Sequence, residues 1–114
     1  MEREKLNNLE QELYNYFKKE NIYPEYINCN NASVCPDIFI EIEYEIRGDW
    51  KHDHLYSEDL IRQFINEKDW VIVGTGGEIT EETGSDYYEA SHSFKVGINK
   101  EMALGIKALI VGEW

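Results

Sequence analysis

Positive charge is scarce in this chain of 114 residues. Eleven lysines and arginines stand against 23 aspartates and glutamates, which gives a formal net charge of −12. A surface of this sign repels phosphate groups, so we expect neither direct nucleic-acid binding nor attachment to an anionic membrane. The partners that remain are basic protein surfaces, metal cations and cationic small molecules.

Long apolar runs and cysteines are also scarce. No run approaches the roughly 20 apolar residues of a membrane-spanning helix, and the first residues lack the apolar core of a signal peptide. We therefore expect a cytoplasmic protein, in which Cys29 and Cys35 are most simply two free thiols. The length fits a single domain over residues 1–114, and an apolar fraction of 42% is enough to build a core.

The acidic excess is confined to two windows. Residues 37–60 hold eight acids and two bases, and residues 67–89 hold seven acids and one base. Within the first window, residues 37–46 alternate apolar and acidic side chains with a period of two. This pattern predicts a strand with one buried face and one acidic face. The acidic side chains that share a face are Glu41, Glu43 and Glu45.

Apolar stripes at helical spacing predict two helices. The first spans about residues 3–20 and ends before Pro24. Its buried stripe is Leu6, Leu9, Leu13, Tyr16 and Phe17. The second spans residues 57–67, with Ser57 as its N-cap and acids in its first turn. Residues 22–36 are predicted to form a loop with a short extended piece near residues 23–27.

Two further strands are predicted in the second half of the chain. Residues 70–73 are apolar on both faces, as in a central strand. The glycines that follow, at positions 74, 76 and 77, indicate a bulge or bend in that strand. They do not indicate a phosphate loop, because turn-forming residues and no helix start come next. Residues 87–98 alternate again and predict an antiparallel partner strand.

The tail is open to two interpretations. Residues 99–112 fit either a helix capped by Asn99 or a last strand, and their composition favours the helix. As a helix, its inward residues are Met102, Ile106, Leu109 and Ile110. We therefore predict an α+β fold with a small antiparallel sheet of about three strands and two or three helices packed on one face. The other face of the sheet would be exposed and acidic.

The acidic strand face predicts a docking surface for a basic groove. Side chains two residues apart project from points about 6.6–6.8 Å apart, a pitch close to that of phosphates along a nucleic-acid strand. Arginines and lysines that bind phosphates would therefore bind these carboxylates. We expect a non-enzymatic inhibitor without a cofactor that binds a nuclease or another nucleic-acid-binding protein. The predicted partner-binding residues are Glu41, Glu43, Glu45, Asp49, Asp53, Glu58, Asp59, Glu81, Glu82, Asp86 and Glu89.

Immunity proteins, antirestriction proteins and phage anti-CRISPR inhibitors act in this way, and the likeness is one of charge and size only. Two other functions stay open. His52 and His54, beside acidic side chains, fit a divalent-metal site of a binding module or a small metal-dependent enzyme. The apolar tail ending at Trp114 fits a structural or accessory oligomer instead. His92, on the apolar face of its strand, is interpreted as a buried, hydrogen-bonded histidine.

Overall fold

The fold is built around a four-stranded antiparallel sheet. The computed structural model describes residues 1–48, 51–81 and 88–111, with backbone alone at 51–54, 81 and 107–111. In chain order the elements are α1 (Arg3–Lys18), β1 (Tyr26–Asn31), β2 (Phe39–Gly48), α2 (Lys51–Glu67), β3 (Val71–Glu81), β4 (Tyr88–Gly97) and α3 (Lys100–Val111). The predicted α+β class is confirmed, with four strands rather than about three.

Two helix–hairpin units make up the sheet. α1 precedes the β1–β2 hairpin, and α2 precedes the β3–β4 hairpin. The strand order is β1-β2-β4-β3, and each neighbouring pair is antiparallel. β2 and β4 therefore meet at the centre of the sheet, whereas β1 and β3 form its edges.

One face of the sheet, the inner face, packs against α1 and α2. From β2 the core takes Ile40, Ile42, Tyr44 and Ile46. From α1 it takes Leu6, Leu9, Leu13 and Phe17. Fully burying a side chain of this kind stabilises the fold by about 1.5–3 kcal/mol relative to leaving it exposed. The predicted apolar stripe of α1 and the predicted buried face of β2 thus meet in one core.

The opposite, outer face carries the glutamates of β2 and is covered by α3 at one end. Phe39 of β2 and Gly97 of β4 oppose each other on this face. Ala103 of α3 lies directly against Gly97, and Ala32, Phe39 and Ala103 form a small second core. A Cβ at position 97 would overlap the Ala103 methyl group, so glycine lets the helix approach the sheet. The third helix therefore lies on the face opposite α1 and α2.

α2 begins earlier than the sequence predicts. Its first residue is Lys51, so the segment that holds His52 and His54 is helical. The prediction of Ser57 as N-cap is wrong, because this serine lies inside the helix and is fully buried. Its hydroxyl lies 2.9 Å from the hydroxyl of Tyr44 on β2. This hydrogen bond to Tyr44 explains why a polar residue is buried at position 57. Because Tyr44 lies on another element, no local sequence pattern reveals the contact.

Both edge strands differ from the prediction. β1 occupies a segment predicted mainly as a loop. Its Ile27 and Cys29 turn inward, whereas Asn28 and Asn30 lie on the outer face. β3 is an edge strand rather than a central one. Its start is apolar on both faces because Ile72 packs against the main core and Val71 against the second core beneath α3. The predicted bulge is confirmed by the register shift between Ile72 and Gly74.

The C-terminal segment is the helix that its composition favours. The side chain of Asn99 accepts a hydrogen bond from the Met102 N–H at 3.1 Å, as an N-cap does. The predicted inward position of Met102 is wrong, because its side chain is 52% exposed while Ala103 is fully buried. Ile106 packs against the second core as predicted. The other two predicted inward residues, Leu109 and Ile110, lie outside the described side chains.

Candidate partner-binding face and adjacent cleft

Three glutamates form a row on the outer face. Glu41, Glu43 and Glu45 oppose Lys95, Ser93 and Ser91 of β4, and Asn30, Asn28 and Tyr26 of β1. The strand that carries this glutamate row is central in the sheet, and the side chains between the glutamates are buried. A register slip would bury the carboxylates, so the core holds the row outward. The middle glutamate is exposed, and the outer two are half-buried.

One end of the glutamate row is neutralised within the chain. Arg47 Nη2 lies 3.1 Å from Glu45 Oε2, and Arg47 Nε lies 3.7 Å from Glu89 Oε1. Arg47 follows Glu45 by two residues on the same strand, so the alternating pattern already placed both on one face. The sequence analysis missed this contact. A partner that binds Glu45 must share that carboxylate with Arg47.

A shallow trough runs beside the other two glutamates. Glu41 and Glu43 form one side of this space of about 270 Å³, and Gly74 and Gly76 of β3 form the other. Lys95 also lines the trough and opposes Glu41 in the sheet. Within the described ranges no ion pair reaches Glu41 or Glu43. The carboxylates of Glu41 and Glu43 therefore border an open space whose opposite wall is two glycines of β3.

The structure separates the predicted partner-binding residues. Glu89 of β4 shares the outer face with the row, where it opposes Arg47. Glu58 and Asp59 lie on α2, which covers the inner face, so they do not extend the row. The predicted residues whose side chains lie outside the described part of the chain are Asp49, Asp53, Glu81, Glu82 and Asp86.

A second concave site opens on the inner face, between α2 and the β3–β4 hairpin. This cleft has a volume of about 240 Å³ and is lined by Glu58, Arg62, Gly77, Ile79 and His92, among others. His92 is only 6% exposed, and its Nδ1 lies 3.2 Å from Glu58 Oε1. The interpretation of His92 as a buried histidine is confirmed, and the Glu58 carboxylate lies within ion-pair distance of its ring. Sequence reasoning missed its partner because the two residues meet only through the packing of α2 on β4.

The two cysteines are free thiols, as predicted. Cys29 is fully buried, and burial raises the pKa of its thiol to about 12, with the nearby Glu10 carboxylate adding to the effect. Because the thiolate is the nucleophile and the metal ligand, we expect Cys29 to be unreactive at neutral pH. No group of three or more histidine, cysteine and acidic side chains is placed to hold a metal among the described residues. The side chains of His52 and His54 lie outside that description.

Comparison with protein-family models, curated proteins and solved structures finds no match for this chain. In the part of the chain that the structure describes, no helix combines the length and apolar character needed to cross a bilayer. A functional proposal therefore rests on the chemistry of the site itself.

Proposed function

We propose that this chain is a small, non-enzymatic, cytoplasmic interaction protein whose outer sheet face binds the basic groove of a nucleic-acid-handling protein such as a nuclease. The observation that carries the proposal is the glutamate row on a central strand, with buried side chains between its members. A row held by the core needs little ordering when the partner binds, which lowers the entropy cost of association.

The spacing and chemistry of the row support mimicry of a phosphate backbone. Carboxylates on one strand face recur about every 6.6–6.8 Å, and each can accept two parallel hydrogen bonds from a guanidinium group. The trough beside Glu41 and Glu43 has room for a basic side chain of the partner between the row and β3. We expect Glu43 to be the strongest single contact, because it is exposed and Glu45 is already paired with Arg47.

The charge of the whole chain supports the same partner class. A net charge of −12 attracts a basic protein over long range and raises the association rate at low salt. Inhibition follows if the groove cannot hold this chain and its nucleic acid at the same time. Immunity, antirestriction and phage anti-CRISPR inhibitors are the functional classes in which we expect such competition with nucleic acid.

Affinity purification with a DNA competitor tests the proposal. The full chain is immobilised, incubated with extract of its native cell at about 50 mM salt, and washed at about 500 mM salt, where charge interactions are strongly screened. We expect a basic nucleic-acid-binding protein to elute with salt, and duplex DNA or RNA to displace it at low salt. A partner that stays bound while it also holds its nucleic acid would contradict the proposal.

A further inference from the structure

The edge of the sheet at β1 is closed by α1. The Cys29 N–H donates to Glu10 Oε1 at 2.8 Å, and the Cys29 carbonyl accepts a hydrogen bond from the Arg3 guanidinium group. Arg3 also donates to the side chain of Asn30 at 2.9 Å. Helix side chains thus occupy backbone groups that would otherwise pair with a further strand.

The edge at β3 is open over residues 75–80. All six residues are exposed, and Ile79 leaves 49% of its surface uncovered. Within the described ranges, no charged helix side chain hydrogen-bonds to this stretch as Arg3 and Glu10 do to β1. β3 also contains no lysine or proline, the residues that commonly guard an exposed edge. This stretch therefore presents unpaired backbone groups to a partner.

We propose that residues 75–80 of β3 bind an extended segment of a partner protein by strand addition, and that this segment alternates apolar and basic side chains. On the inner face, the added strand would lie beside Gly77 and Ile79 at the mouth of the cleft. The isoleucine is half exposed and offers apolar surface there, so an apolar or aromatic side chain of the added strand can pack against it. On the outer face it would lie beside Gly76 and Glu78, where a basic side chain pairs with the carboxylate.

Charge favours a basic segment over a second copy of this chain. Two copies would each bring a net charge of −12 to the contact, which opposes self-association. Main-chain hydrogen bonds would supply affinity, and the alternate side chains would supply specificity. Gly76 borders both this edge and the trough beside the glutamate row. The proposal still does not depend on the function proposed above, because strand addition uses the backbone of β3 and not the glutamates of β2.

Nuclear magnetic resonance of the isotope-labelled full chain tests strand addition. The probe is a synthetic peptide of about seven residues, the length of a short strand, in which lysine alternates with tyrosine and isoleucine. A peptide of the same composition with its lysines grouped at one end is the control. We expect only the alternating peptide to slow amide hydrogen exchange at residues 75–80, by at least about tenfold.

Three variants of the full chain sharpen this test. Ile79→Lys should weaken binding of the alternating peptide about tenfold, because it removes an apolar neighbour and adds a like charge. Gln11→Lys adds the same charge on the exposed surface of α1 and should change nothing. Replacing the three glutamates of the row by glutamine should leave strand addition intact, which separates this proposal from the previous one.

Two results would overturn strand addition by a basic segment. The first is equal binding of the alternating and grouped peptides, which would mean that the peptide binds through its net charge and not as an added strand. The second is a dimer in analytical ultracentrifugation that Ile79→Lys dissociates, since a second copy would then be the occupant of the edge.

Discussion

The inner and outer faces of the sheet are formed by the same strands but differ in what they contribute. On the inner face, alternate residues of β2 are buried. The centroid of the Tyr44 ring lies 5.3 Å from that of Phe17 and 5.0 Å from that of His92. On the outer face, the residues in between include the three glutamates of the row, and α3 covers only one end. Because the two sets alternate along one strand, stability and recognition can be changed separately.

The largest effect on stability is expected on the inner face. Leu13 is fully buried under the sheet, so Leu13→Ala should lower the free energy of unfolding by about 2–5 kcal/mol. Chemical denaturation measures this loss. Gln11→Ala, at an exposed position of the same helix, should change it by less than about 0.5 kcal/mol. A loss below about 1 kcal/mol for Leu13→Ala would mean that α1 does not pack as described.

An intermediate effect is expected at the covered end of the outer face. Gly97→Ala should cost about 1–3 kcal/mol, because its new methyl group overlaps Ala103. Combining it with Ala103→Gly removes the overlap, so the double variant should be more stable than the sum of the two single losses predicts. A double-mutant cycle measures this coupling. Strict additivity would show that α3 does not rest on Gly97.

The smallest effect near neutral pH is expected from the raised pKa of the Cys29 thiol, which changes the free energy of unfolding only at high pH. Burial raises its pKa from an ordinary value of 9.0 to about 12 in the folded chain. The unfolded chain therefore loses this proton first, so the contribution of the protonated thiol is complete below pH 9 and is lost as the pH rises toward 12. The stability advantage of the parent chain over Cys29→Ala should narrow across that window, as measured by denaturation. An advantage that stays constant up to pH 12 would contradict the shift.

Thiol labelling gives an independent check of the same burial. At pH 8 a maleimide should modify the half-buried Cys35 in the native chain and reach Cys29 only after unfolding. Equal rates for the two thiols would contradict the burial of Cys29.

Local patterns were enough to predict the centre of the fold. The alternation in residues 37–46 gave β2 and its glutamate row, and the apolar stripe of α1 gave the helix that covers the inner face. β1 was missed because asparagine has a low strand preference and this strand forms only by pairing with β2. The early start of α2 was missed because Ser57 resembles an N-cap until its buried partner Tyr44 is known.

The candidate sites needed more of the tertiary structure. The alternating pattern predicted the row itself, and the same pattern would have predicted its ion pair with Arg47. The trough depends on Gly74 and Gly76 lying beyond β4, which follows from the strand order and not from any local pattern. The contact between Glu58 and His92 likewise requires α2 to pack on β4. The site features that the sequence predicts lie within a single strand. The features that it does not predict are contacts between different elements.

The account is tested most directly by calorimetric titration of the partner recovered from native extract with two charge-matched variants. One replaces Glu41, Glu43 and Glu45 by glutamine. The other replaces Glu2, Glu4 and Glu20 by glutamine; these residues are exposed on α1 or directly beside its ends, and α1 packs on the inner face. We predict that the first variant loses affinity about a hundredfold while the second loses less than about tenfold, with unfolding free energies within about 1 kcal/mol of the parent chain. Parent-like affinity of the first variant would contradict the account.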